Sequence, residues 1–205
     1  MEPQMIQSES RKRGRPSVFD PEQALEAAMC TFWQHGYIGA SVDLISRETA
    51  MPRATLYQRF GGKEGLFLAV LDHYAATRIK PLLARLGPEG TLQADLTRFF
   101  DAVVTLATED DRARGCLVSC VLADAAGTHP GFRQELAKRF SLLERRIETR
   151  LRHAATIGEH VSGTPDVQAL LIASVARGLM VRARSGATAQ ELSRVGRAAA
   201  KLGVG

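Results

Sequence analysis

The sequence predicts an all-α protein: an N-terminal three-helix DNA-binding module followed by a larger helical domain. Three observations predict this. Apolar residues recur at helical spacing almost throughout, capping and stop signals bracket the runs, and two short helices are parted by a turn of only three residues. At 205 residues, 45% of them hydrophobic, the chain can bury roughly 70% of its unfolded surface, so disorder throughout is excluded. The most apolar stretch, Ala169 to Ala176, ends at Arg177 and falls short of the ~20 residues a membrane span needs. The first residues show no basic-then-apolar signal pattern, so the expected location is the cytoplasm and no membrane partner is expected. Three cysteines, an odd number in such a chain, argue against a disulfide framework. The net charge of +5 makes polyanions plausible partners, depending on where it sits.

It sits first in Arg11-Lys12-Arg13-Gly14-Arg15-Pro16. Residues 1–16 have no apolar face to bury and read as a basic arm, disordered when alone. Arg13 and Arg15, on a thin Gly/Pro backbone, suit the minor groove of DNA; the alternative is a solvated tail. Next, Asp20-Pro21-Glu22 offers an N-cap, a proline at the first helical position and an acid in the first turn. Leu25, Ala28, Met29, Phe32 and Trp33 mark the buried face, and Gly36 ends the helix. Ser41 starts a second helix by capping Asp43 or Leu44, and that helix runs to Thr49. Ala50-Met51-Pro52 is a tight turn, and a third helix spans Pro52 to Phe60. Gly61-Gly62 breaks it. Lys63 then opens a longer helix carrying Leu66, Phe67, Val70, Leu71 and Tyr74, which Pro81 is expected to stop.

The chemistry of the third helix suits duplex DNA. Leu56 and Phe60 form its buried stripe, while hydrogen-bonding side chains crowd the rest. Arg53 can reach a guanine edge or a phosphate, Gln58 can pair with adenine, and Ala54 can contact a thymine methyl. The hydroxyls of Thr55 and Tyr57 and the ammonium of Lys63 suit phosphates, which fix register. Ser41 and the free amides beside it form a further anion site. The competing reading is an ordinary solvated helix face.

These residues resemble the DNA-binding domain of TetR-type transcriptional regulators from about Arg13 to Leu71. The resemblance is carried by Ala27-Ala28 through Phe32, by Gly36-Tyr37 with Ser41-Val42, and above all by the run from Pro52 to Phe67. It implies a homodimeric repressor that binds a palindromic operator on double-stranded DNA through the third helix. It also implies release when a small molecule, here unidentified, occupies the C-terminal domain. Three positions depart from the family pattern. Ala50 stands where glycine is usual, Pro52 replaces the common serine cap, and Arg59 stands where histidine or tyrosine is frequent. The division expected is an arm at 1–16, the helix-turn-helix domain at 17–62, a connecting helix at 63–80 and the effector-binding and dimerisation domain at 81–205.

Past a connector from Pro81 to Gly90, a helix carries Leu92, Leu96, Phe99, Phe100, Val103, Leu106 and Ala107 on one face and ends at Glu109-Asp110-Asp111. Gly115 to Ala126 reads as a short, nearly apolar helix and hence as buried. Pro130 precedes a long amphipathic helix with the stripe Phe132, Leu136, Phe140, Leu143, Ile147 and Leu151. Its other face, with Arg133, Glu135, Lys138, Arg139, Arg145, Arg146 and Glu148, is expected to be solvated and salt-bridged. Thr164-Pro165-Asp166 starts another helix, and Ala189 to Leu202 forms the last. From Val167 to Arg184 the sequence is apolar nearly all round, which calls for cover on both sides. The second cover is expected to be another subunit, through Leu171, Val175, Leu179 and, from the last helix, Val195; the alternative is a core helix of a monomer.

Phe99, Phe100, Val103, Leu117, Cys120 and Phe140 are the candidate effector pocket, apolar enough to suggest a hydrophobic or aromatic ligand; they could equally be core. Cys116 and Cys120, four apart, would share a helical face. Packing as small hydrophobes is the favoured reading, with a thiol- or metal-responsive regulator as the alternative. A sequence-tolerant architectural DNA-binding protein is the other alternative. No nucleophile–base pair, paired carboxylates or phosphate loop is present in the sequence, so no enzyme, catalytic residue, metal site or cofactor is expected.

Overall fold

The computed structural model describes residues 20–204. In order these form α1 (Pro21–Gly39), α2 (Val42–Glu48), α3 (Arg53–Phe60) and α4 (Lys63–Tyr74), then π1 (Ala75–Ile79), α5 (Lys80–Ala84) and α6 (Leu92–Thr108). They are followed by π2 (Leu117–Leu122), α7 (Ala123–Ala126), α8 (Pro130–Thr156), α9 (Pro165–Arg184) and α10 (Ala189–Ala199), with no strand among the described residues. The start signals act as their chemistry requires. Asp20 accepts from the amides of Glu22 and Gln23, Ser41 from Leu44, and Thr91 from Ala94. Thr188 and Glu191 close a reciprocal capping box on α10, each such cap satisfying amides that a helix start leaves orphaned. At Gly36 the backbone leaves the helical region with φ +69°, a conformation glycine adopts without steric cost.

Pro81 does not stop its helix. The chain passes from α4 through the wider π1 turn into α5, with Pro81 inside the first turn of α5. A proline ring clashes with the carbonyl four residues back, here that of Thr77. Thr77 lies in π1, where the i→i+5 pattern opens the turn and relieves that clash. The nearly apolar segment after Gly115 is also π-helical before it becomes α7. Cys116 precedes it in extended backbone, so Cys116 and Cys120 do not share an α-helical face.

Helices α1–α4 build one small core around Phe32, Ile45, Met51, Leu56 and Phe67, all fully buried. Helices α6, α8, α9 and α10 pack as a bundle, with π2 and α7 lodged between that bundle and α1. Leu179 belongs to this core at 1% exposure, which corrects its expected place on a partner-facing surface: it points toward α9's own bundle. The acidic end of α6 is answered by the turn that follows, where Arg114 reaches Asp111 at 3.2 Å.

The polar face of α8 is less solvated than its sequence suggests. Arg139 donates to the Leu71 carbonyl at 3.0 Å and to Asp72 at 2.7 Å, and Arg146 donates to the Gly87 carbonyl at 2.5 Å. Arg150 is wholly buried. Its Nε meets the equally buried Asp95 at 2.6 Å, and its Nη2 donates to the Gly90 carbonyl at 3.0 Å. Asp95 also accepts from the Gly90 amide and from Arg98, so one carboxylate pins the loop ahead of α6 to α8.

Breaking such a pair strands a buried charge. Asp95→Ala is expected to cost about 3–5 kcal/mol, read as a lowered denaturation midpoint at fixed protein concentration. Ala50, between α2 and α3, holds φ +51°, a left-handed backbone that costs an L-residue roughly 1–2 kcal/mol. Ala50→Gly is expected to raise stability by about 1 kcal/mol in the same assay.

Candidate functional site

The turn between α2 and α3 is fixed from both sides. Ser46 donates to the Met51 carbonyl at 2.6 Å, Thr49 accepts from the Met51 amide at 3.2 Å, and the Met51 side chain is fully buried. Leu56, at zero exposure, anchors α3 from beneath. At its far end the carbonyl of Phe60 occupies the place that a side chain on residue 65 would need, so only glycine lets α4 meet α3 this closely. With one face held, the other is presented outward. Arg53, Ala54, Tyr57 and Gln58 are exposed and Thr55 is half-buried. Tyr57 stands out with 56% of its surface free.

Three of the polar residues expected to contact DNA have protein partners. Arg53 pairs with Asp43 of α2 across the turn. Lys63 lies 4.4 Å over the Tyr37 ring, its Nζ 3.4 Å from the Ile38 carbonyl, and burial lowers its pKa. Ser41 spends its hydroxyl on the Leu44 amide at 3.1 Å. Arg13 and Arg15 lie outside the described residues.

Below the module, a cavity of about 540 Å³ opens between π1 with α5 on one side and α8 on the other. Phe99, Val103 and Phe140 line it as expected. Phe100, Leu117 and Cys120 do not. Phe100 packs on Gly196 of α10, Leu117 is fully buried in the core, and the Cys120 thiol faces the Met180 carbonyl at 4.0 Å. Leu82, Leu83, Leu143, Arg146 and Arg177, not among the residues expected there from the sequence, also line it. One signal was available: Arg139, Leu143 and Arg146 fall at helical spacing on one side of α8. The opposing wall is helical only because the chain continues past Pro81.

The thiols are occupied separately. Cys116 lines the cavity and accepts from the Tyr74 hydroxyl at 3.4 Å; burial pushes the Tyr74 pKa well up. Burial also raises the Cys120 thiol. Among the described residues, no group of three or more His, Cys, Asp or Glu side chains is placed to hold a metal ion. On α9 and α10, Leu170, Leu171, Val181 and Val195 are exposed and Val175 is half-buried. No helix is long and apolar enough to cross a membrane among the described residues.

Residues 24–70 match the family described as bacterial regulatory proteins of the tetR family, and residues 93–199 match the tetracyclin repressor-like C-terminal domain. The chain belongs to the TetR family. This TetR-family chain is 31% identical to the HTH-type transcriptional repressor ComR of Escherichia coli (strain K12) over 90% of its own length and 89% of ComR's. It is 26% identical to the HTH-type transcriptional repressor AcnR of Corynebacterium efficiens, over 89% of this chain and 91% of AcnR. A cysteine mutant of the TetR family regulator CifR, complexed with 26-bp double-strand operator DNA, superposes with a TM-score of 0.82 at 28% identity, covering 91% of this chain and 98% of that one.

In this TetR-family chain the thiolate of Cys120 is disfavoured. Because its pKa is raised, less thiolate is present at a given pH, and the deficit shrinks as pH climbs. In a Cys30→Ser/Cys116→Ser variant, Cys120 is expected to react with Ellman's reagent at pH 8 more slowly folded than unfolded. The gap should narrow towards pH 10.

Proposed function

We propose that the protein is a homodimeric DNA-binding repressor of transcription that recognises a palindromic operator through α3 and releases it when a small molecule fills the cavity. The observation that carries this reading is the α3 surface: a helix anchored by Leu56 and presenting Arg53, Ala54, Tyr57 and Gln58 outward, in a module of the kind seen on operator DNA in CifR. Tyr57, Thr55 and Lys63 are assigned to phosphates, with Ser41 and the start of α2 as a further anion contact. Gln58 is assigned to an adenine edge, Ala54 to a thymine methyl and Arg53 to guanine. Asp43 would hold the Arg53 guanidinium in place for that contact. Arg13 and Arg15 are assigned to the adjoining minor groove. A regulator of this kind works where the DNA is, in the cytoplasm.

One recognition helix reads few bases, and a symmetric pair reads a palindrome. The exposed apolar residues of α9 and α10 supply the self-complementary face for that pair, centred on Leu171, Val175 and Val195. Control follows from the cavity's two walls. One continues α4, which packs on α1 and α3; the other is α8, whose Phe132 enters the DNA-binding module's core. A ligand that fits only one spacing of these walls biases the position of α1–α4. The shift cannot exceed its difference in affinity for the two states.

Mobility shift on the region upstream of its own transcription unit tests the reading. Tyr57→Ala should weaken every duplex by about 1–2 kcal/mol, whereas Gln58→Ala should relax preference at one base position by ~1–3 kcal/mol. Equal affinity for that region and for random duplex would favour an architectural role instead.

A further inference from the structure

The cavity is apolar over most of its wall, with Leu82, Phe99, Val103 and Leu143 among its lining, yet four cations also line it and no carboxylate does. Lys80, Arg139, Arg146 and Arg177 are those cations. Two are offset from behind the wall. Arg139 pairs with Asp72 at 2.7 Å and with Glu135, and Arg177 pairs with Glu144 at 2.7 Å. The other two reach no carboxylate among the described residues: Arg146 donates only to the Gly87 carbonyl, and Lys80 stands at the exposed edge. The site therefore keeps uncompensated positive charge beside an apolar space.

Arg177 adds a donor with nothing to receive it. Its guanidinium is stacked 3.9 Å from the centre of the Phe140 ring, and its Nη2 donates to the Phe140 carbonyl at 3.0 Å. The Nε hydrogen is buried without a partner. The Ser119 hydroxyl, half-buried and also on the lining, makes no hydrogen bond to another described residue. Taking the cavity as the effector site, on which this inference rests, we infer that its ligand is an apolar molecule ending in a single carboxylate. The tail lies against the leucines and phenylalanines, and the carboxylate meets the guanidiniums of Arg177 and Arg146 on the cavity wall. A polyphosphate does not suit walls this apolar, and a neutral oil leaves the charges of Arg146 and Lys80 without a counter-ion.

The test uses the full-length protein and three probes of one body and different heads: decanoate, decan-1-ol and decylamine, each below its aggregation concentration. Isothermal titration calorimetry reads binding, and fluorescence anisotropy on the upstream DNA fragment reads release. Decanoate is expected to bind about tenfold tighter than decan-1-ol, the value of one charge-assisted hydrogen bond, and decylamine more weakly than either. Arg177→Gln and Arg146→Gln should each erase most of decanoate's advantage and leave decan-1-ol within about twofold of its wild-type affinity. Leu142→Trp, at the exposed rim, should hinder all three probes. Decan-1-ol or decylamine binding best, or none of the three binding, overturns the carboxylate inference. If decan-1-ol also releases DNA, the effector reading survives that failure. Decanoate binding indifferent to all three substitutions overturns it as well. Arginine-dependent binding of decanoate without any release of DNA upholds the ligand class and overturns the cavity's role in control.

Discussion

The apolar junction at Phe132 governs the rest of the molecule. This side chain belongs to the first turn of α8, yet its ring stands edge-on to Tyr37 at 4.7 Å and to Phe67 at 5.3 Å, inside the core shared by α1 and α4. Aromatic side chains bury large areas and prefer such tilted contacts, and close-packed interiors move as units rather than deforming smoothly. The helix that walls the cavity is thus also a structural member of the helix-turn-helix module. Polar contacts repeat the linkage a few ångströms away. Trp33 donates from its indole to the Arg114 carbonyl at 3.2 Å and accepts from Arg184 at its own carbonyl at 3.0 Å, and Arg139 ties α8 to the end of α4.

That junction leaves limited freedom elsewhere. Helix α4 is held at its start by α3, through the close approach at Gly65, and at its end by Arg139 and by the Tyr74–Cys116 contact. Beyond Tyr74 the wider π1 turn takes over. π-type turns are rare and recur at functional sites, and here one forms the cavity wall opposite α8. The cavity thus borders the π-helical segment of the connecting helix, immediately below that helix's attachments to the DNA-binding module.

The buried charges play a different part. Arg150 and Asp95 lie deep between α6 and α8, away from the cavity lining, and satisfy the backbone of the Gly90 loop. They fix the register of two helices that line the cavity. Arg139, Arg146 and Arg177 instead lie along its wall, where their aliphatic stems extend the apolar surface and their guanidiniums bring charge to it.

The succession of α1 to α4, their caps at Asp20 and Ser41, the tight turn at Ala50 and the outward face of α3 were legible in the sequence, because each depends on residues within a few positions of one another. The match of the DNA-binding segment to the TetR family was legible for the same reason. The cavity was legible only in part. Phe99, Val103 and Phe140 were found from apolar spacing, but Phe100, Leu117 and Cys120 follow the same pattern and face other elements. Leu179 reads like Leu171 in the sequence, although packing buries the first and exposes the second. The arginines of α8 read as a solvated face, since an exposed guanidinium and one bonded to a carbonyl some sixty residues away look alike in one dimension. Local stereochemistry and periodicity, then, are what the sequence determined alone. Which apolar residues meet, which charges are buried and where space is left were decided by tertiary packing, because those depend on side chains brought together from distant parts of the chain.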